Sequence, residues 1–207
     1  MKKLIILIIV VVTILSCKSK DKNADTKGLL NGDSTLVTDT SWGYIHKSLN
    51  YSDLKVIFGE ENIKDERICG AECIDSIDVT KIYPDKGNEI IIYWQDSAYH
   101  KKIGNIESFQ DKSPYHTSSA IKIGSTLQDI LQLNGQKITF SGFGWDYGGY
   151  IHSYNNGKLE KSPIKYRLDL TGGDYHTLYG DTELDTDMPE VKKMLDKIAV
   201  YNISLSF

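Results

Sequence analysis

The rhythm of hydrophobic positions changes twice along this chain. From Leu4 to Val12 they are continuous, and after Thr13 they resume at Ile14 and Leu15. From Lys18 to residue 41 they almost vanish. Leu29, Leu30, Leu36 and Val37 are the main interruptions in a Lys/Asp/Gly/Ser/Thr mixture, which predicts a flexible tether over 17–41. A flexible coil of 24 residues spans roughly 27 Å on average. From Gly43 onward, short helical and alternating patterns follow one another, so folded structure is expected over 42–207.

The folded part contains a repeat. Ile45 to Gly59 and Ile121 to Gly135 align at a constant offset of 76 residues, with an isoleucine, an aspartate, an apolar pair and a closing glycine in register. Each copy reads as a helix of about two turns. Asn50 and Thr126 stand three residues before Asp53 and Asp129, the spacing of a capping box with an acidic third position. Leu54 and Ile57, and Ile130 and Leu133, give each helix one apolar face. Gly59 and Gly135 follow where a left-handed cap is needed. Helices this short must dock on a sheet to persist.

Strands are expected at Asp78–Tyr83, at Glu89–Trp94 (apolar on both faces, hence central) and at Lys102–Phe109. The second copy continues with Ile138–Phe140 and Tyr150–Tyr154. An Asn155-Asn156-Gly157 turn then predicts a hairpin to Ile164–Leu170. Asp187 is expected to cap a last helix through Val191, Met194, Leu195 and Ile198, before a closing strand at Tyr201–Phe207. The expected fold class is α+β, with two tandem helix-plus-antiparallel-sheet repeats over 42–115 and 116–207.

Two family resemblances bear on this plan. Lys2-Lys3, the apolar run and Ile14-Leu15-Ser16-Cys17 resemble the export signal and lipobox of bacterial lipoproteins. The run is too short for a membrane span of roughly 20 apolar residues. The resemblance implies removal of residues 1–16, lipid on Cys17, and attachment to the cell envelope. Lys18 rather than Asp follows the cysteine, so the inner-membrane retention signal is absent and the outer membrane is expected. Two or more acyl chains, at about 0.8 kcal/mol per buried methylene, hold firmly. Ile121, Gly124, Thr126, Asp129, Ile130 and Gly135 resemble the segment that opens each helix–sheet unit in the β-lactamase-inhibitor-protein-like fold of small outer-membrane assembly lipoproteins (the SmpA/OmlA group). The first copy departs, with Ser48 and Asn50 for the glycine and threonine. This resemblance implies a protein-binding or inhibitory scaffold and identifies no partner.

Charge narrows the partners. The formal net charge is −4, and −6 once Lys2 and Lys3 leave with the signal. No clustered basic face is evident, so nucleic acid is not an expected partner, and membrane attachment rests on lipid. Apart from Cys17, the cysteines are Cys69 and Cys73. In an oxidising envelope they are expected to form a disulfide, which closes so small a loop that it contributes only about 2 kcal/mol. A metal or redox pair is the alternative, and no further ligands lie close in sequence.

The candidate chemistry concentrates in Gly142-Phe-Gly-Trp-Asp-Tyr-Gly-Gly149. Four glycines permit tight turns, while Phe143, Trp145 and Tyr147, with Asp146 among them, offer the amphipathic surface used at protein hot spots and for sugar stacking. The opposing expectation is an aromatic bend with Trp145 folded inward. His46, His100, His116, His152 and His176 have no zinc-hydrolase spacing. Asp181, Glu183, Asp185 and Asp187 alternate without the central glycine and closing glutamate of a calcium loop. No metal or other cofactor is therefore expected. The leading function is a non-enzymatic module that binds another envelope protein. The alternatives are a carbohydrate or small-ligand binder using the same aromatics and, more remotely, a glycoside hydrolase pairing Asp146 with a second carboxylate.

Overall fold

The computed structural model describes residues 30, 32–70, 73–96, 98–109, 111–173 and 175–207. The expectations for the export signal, Cys17 and the first part of the tether lie outside the described residues. The described chain is a mixed α+β structure with several antiparallel sheets and few helices. Strands β1 (Leu36–Thr38), β2 (Ser41–Trp42) and β3 (Ile45–His46) lead into helix α1 (Tyr51–Phe58). Four strands follow: β4 (Ile63–Cys69), β5 (Ser76–Ile82), β6 (Ile90–Trp94) and β7 (Ile103–Ser108). Then come β8 (His116–Thr117), helix α2 (Leu127–Asn134), β9 (Thr139–Ser141), β10 (Ile151–Ser153) and β11 (Ile164–Leu170). The chain closes with β12 (Glu183–Asp185), helix α3 (Pro189–Lys192) and β13 (Ile198–Ser206).

The organising sheet has six strands in the order β11-β13-β7-β6-β5-β4, antiparallel throughout. Its inner face carries Ile82, Ile92, Ile106, Tyr166, Leu168 and Ile203 into one continuous hydrophobic core. Both long helices, the four-stranded sheet β3-β2-β1-β8 and the three-stranded sheet β10-β9-β12 contribute side chains to the same core. Leu54 of α1, Leu127 and Ile130 of α2, Trp42 and Phe140 are all buried there.

Both long helices carry a complete capping box. The Asn50 side chain accepts from the Asp53 N–H, and the Asp53 carboxylate accepts from the Asn50 N–H. Thr126 and Asp129 repeat the exchange. The ends differ. Gly135 is left-handed at φ 73°, whereas Gly59, at φ 82° and ψ 138°, swings the chain into a short 3-10 turn at Glu60–Asn62.

Three expectations need correction. The tether ends earlier than residue 41, because Val37 is fully buried and β1 pairs antiparallel with β2 and parallel with β8. Asn155 and Asn156 do turn with positive φ, but β10 and β11 enter different sheets rather than forming a hairpin. Asn134 decides this. Its side chain donates to the Tyr154 and Gln136 carbonyls (2.8 Å each) and accepts from the Leu159 N–H (3.2 Å), pinning the segment after the turn to the end of α2. The last helix is only four residues long and has no side-chain cap, since Met188 occupies the N-cap position. Asp187 instead pairs with Lys192 at 3.2 Å.

Replacing Asn50 or Thr126 by alanine is expected to cost about 1 kcal/mol each, with Ser restoring most of it. Urea denaturation of the two variants checks this, and an unchanged midpoint would contradict it.

Candidate functional site

The outer face of the six-stranded sheet is only partly covered, and side-chain alternation puts polar groups there. Tyr93 of β6 and Asn105 of β7 are cross-strand partners, as are Ile91 and Glu107, so all four share this face. Arg167 joins them, because its neighbours Tyr166 and Leu168 go into the core.

Glu107 is half-buried. Its carboxylate accepts from the Asn105 side-chain amide at 2.8 Å and from the Tyr93 hydroxyl at 3.3 Å. Burial nevertheless pushes its pKa above the ordinary 4.5, outweighing those two donors and the charge of Arg167. Burial, and then the Glu107 charge, likewise raises the Tyr93 phenol.

The aromatic loop leans over this face. Phe143 is its root and not part of the surface: it is 2% exposed, packs 5.9 Å from Phe140, and donates its N–H to the Leu178 carbonyl. That residue is therefore removed from the expected binding set. Trp145 is half-buried, its Nε1 donating to the Gly142 carbonyl at 2.9 Å. Its ring meets Tyr147 edge-on at 5.4 Å. Tyr147 and Tyr150 remain 48% and 45% exposed, and Asp146 is exposed beside them.

Arg167 holds the loop to the sheet. Its Nε donates to the Gly148 carbonyl and its Nη2 to the Asp146 carbonyl, both at 2.8 Å, while the guanidinium lies 4.5 Å over the Tyr150 ring. Gly149 exchanges backbone bonds with Ser141 and Leu168, and a side chain there would collide with the Leu168 carbonyl.

Opposite the loop stands the end of the β4–β5 hairpin, where Cys69 and Cys73 are joined by a disulfide with their Cα atoms 4.7 Å apart. Ile74 and Ile77 at this end are 83% and 40% exposed. Between the hairpin and the loop runs an open groove of about 690 Å³, floored by Tyr93, Asn105 and Glu107 and walled by Trp145, Tyr147 and Tyr150. Trp145, Asp146, Tyr147 and the disulfide, expected separately from sequence, thus line one groove. Glu107, Asn105, Tyr93, Tyr150 and Arg167 complete it and were not expected. The available signal was an acid at an inner-strand position, Ile106-Glu107-Ser108.

The histidines and the acidic residues Asp181, Glu183, Asp185 and Asp187 lie outside this groove. Asp185 accepts from the Asp187 N–H and pairs with Lys137 at 3.2 Å, and these contacts hold its carboxyl below the usual range. Among the described residues, no group of three or more His, Cys, Asp or Glu side chains could hold a metal ion. Ser141 Oγ lies 2.7 Å from His152 Nε2, but Ser141 is only 3% exposed, so a substrate cannot approach this hydroxyl as it stands.

No protein-family model matches the chain, and no curated protein does. Among solved structures, it is similar to the uncharacterized protein yfeY from Escherichia coli at 14% identity and a TM-score of 0.48. That match covers 84% of this chain and 100% of the other. A likeness this distant carries no argument about the groove.

Two outcomes follow from the side-chain placements. Phe143→Ala should destabilise by about 3–5 kcal/mol, whereas Tyr147→Ala should stay within about 0.5 kcal/mol; chemical denaturation separates them, and equal losses would contradict the assignment of root and surface. For Glu107, folding favours the protonated form, so its stabilising contribution is present below pH 4.5 and is lost as pH rises through the raised folded value. Glu107→Gln should therefore raise the melting temperature at pH 7 by a few degrees, with the gain vanishing below pH 4. A lower melting temperature at pH 7 would contradict it.

Proposed function

We propose that this chain is an envelope lipoprotein, anchored by acyl chains on Cys17, that serves as a non-enzymatic protein-binding module. Its scaffold is two tandem helix–sheet repeats of the β-lactamase-inhibitor-protein-like kind, merged into one six-stranded sheet. The matching capping boxes of α1 and α2 support the repeat. The lipobox residues support the anchor. From Cys17 to Asp33 the chain can reach at most about 55 Å. The groove therefore works close to the membrane that holds the lipid, with the outer membrane as the expected site.

The observation that carries the binding role is the groove itself. It places exposed tyrosines on one wall, the exposed Ile77 and a disulfide at the other, and half-buried polar groups on the floor. Aromatic anchors around a partly desolvated polar centre make up the composition of protein hot spots. The loop is fixed by Arg167, so little ordering entropy is lost when a partner docks.

A second reading rests on a different feature of the groove. Glu107 and Asp146 both line it beside Trp145 and Tyr147, a set that also suits a sugar chain and, with two carboxylates, glycoside hydrolysis. Tryptophan fluorescence titrated with envelope glycans reads the first, and release of reducing ends reads the second. Saturable binding or turnover would replace the protein-binding reading.

Crosslinking in intact cells, with pull-down of the lipidated protein, should capture a discrete protein partner that a folded Trp145→Ala variant loses. Capture unchanged by Trp145→Ala would place the binding surface elsewhere. For the anchor, Cys17→Ser should abolish labelling by radioactive palmitate and release the protein from the membrane fraction. Continued labelling and retention would overturn the lipid attachment.

A further inference from the structure

Glu107 is a costly residue for the fold. It sits half-buried in the middle of the central sheet, on the floor of the groove, and among the described residues two side chains donate to it. An ionised carboxylate offers about four acceptor sites, so capacity remains for donors from a ligand. The nearest side-chain cation among the groove residues is already committed. Arg167 is spread over two loop carbonyls and the Tyr150 ring. That arrangement also demonstrates what the wall accepts, since Tyr150 already carries a guanidinium on its face. Tyr147, next to it, is open. The chain as a whole is acidic, with a formal net charge of −4.

Resting on the protein-binding reading above, we propose that the groove receives an extended basic segment of the partner, with one lysine or arginine side chain crossing the Tyr147 wall so that its charge meets Glu107. Three features converge on a cation. A carboxylate on the floor supplies the charge, the phenol rings beside it attract cations through their faces, and Ile77 on the opposite wall covers the flanking aliphatic stem. A neutral ligand would satisfy hydrogen bonds but leave the desolvated charge with only the partial compensation of Arg167. Glu107 thus acts as the specificity determinant, and the aromatic loop supplies area.

The test is a selection of random twelve-residue peptides displayed on phage, run in parallel on wild type, Glu107→Gln and Tyr147→Ala. Thermal melts confirm that each variant is folded. Wild type is expected to enrich a consensus with one fixed Lys or Arg. Glu107→Gln should lose that basic position and bind the wild-type peptide roughly tenfold or more weakly, while Tyr147→Ala should enrich little. A consensus without a basic residue, or the same basic consensus on Glu107→Gln, overturns the proposal but leaves the groove a protein site. No consensus on any of the three, together with saturable binding of envelope glycans, overturns the protein-binding reading and this proposal with it.

Discussion

A six-stranded sheet has two faces, and this chain buries only one of them completely. The inner face receives Ile82, Ile92, Ile106, Tyr166 and Ile203, and the helices and both smaller sheets pack into that core. Strand alternation then forces the intervening residues outward together. Tyr93, Asn105, Glu107 and Arg167 share the outer face for no reason but register. A slip of one residue in β7 would bury Glu107 in the core and expose Ile106, so the register that makes the core also makes the groove floor.

The rest of the site depends on what covers that outer face. Arg167 occupies the sheet on one side and the aromatic loop on the other, so one side chain sets the spacing between floor and wall. The close approach of Gly149 to Leu168 fixes the loop at a second point, and buried Phe143 roots it in the core. The loop is thereby held by backbone and guanidinium bonds while leaving two tyrosines exposed. The disulfide at the far wall restrains the end of a hairpin whose strand β4 is an edge, rich in charge and without a second pairing partner in the sheet.

Helices α1 and α2 were legible because their signals are local. A cap, an aspartate three residues on and a closing glycine lie within fifteen residues, and Leu54 and Ile130 mark the buried face. The central strand Ile90–Trp94 was legible from its density of β-branched residues. What failed depended on distant partners. Leu36 and Val37 resemble chance apolar residues in a polar tether until β8, some eighty positions away, pairs with them. Strand β4 is nearly all charged between its end isoleucines, because an edge strand packs little, so no alternation announces it. The turn at Asn155 has the dipeptide chemistry of a hairpin, but the contacts of Asn134 redirect it. At the site, Trp145 and Tyr147 were visible as unusual residues in a glycine-rich loop. Glu107 was hidden among ordinary strand residues, because its significance comes from facing that loop across the sheet.

The central claim is that the groove between the aromatic loop and the disulfide hairpin is the working surface of this protein. It can be tested without knowing the partner by hydroxyl-radical footprinting of the lipidated protein in intact cells and of the same protein purified. If the groove is that surface, Tyr147, Tyr150 and Ile77 are protected in cells relative to the purified protein, while Tyr99 and Val56, exposed elsewhere on the surface, label equally in both. Equal labelling of the groove residues in both states, with protection appearing at Tyr99 or Val56, would contradict it.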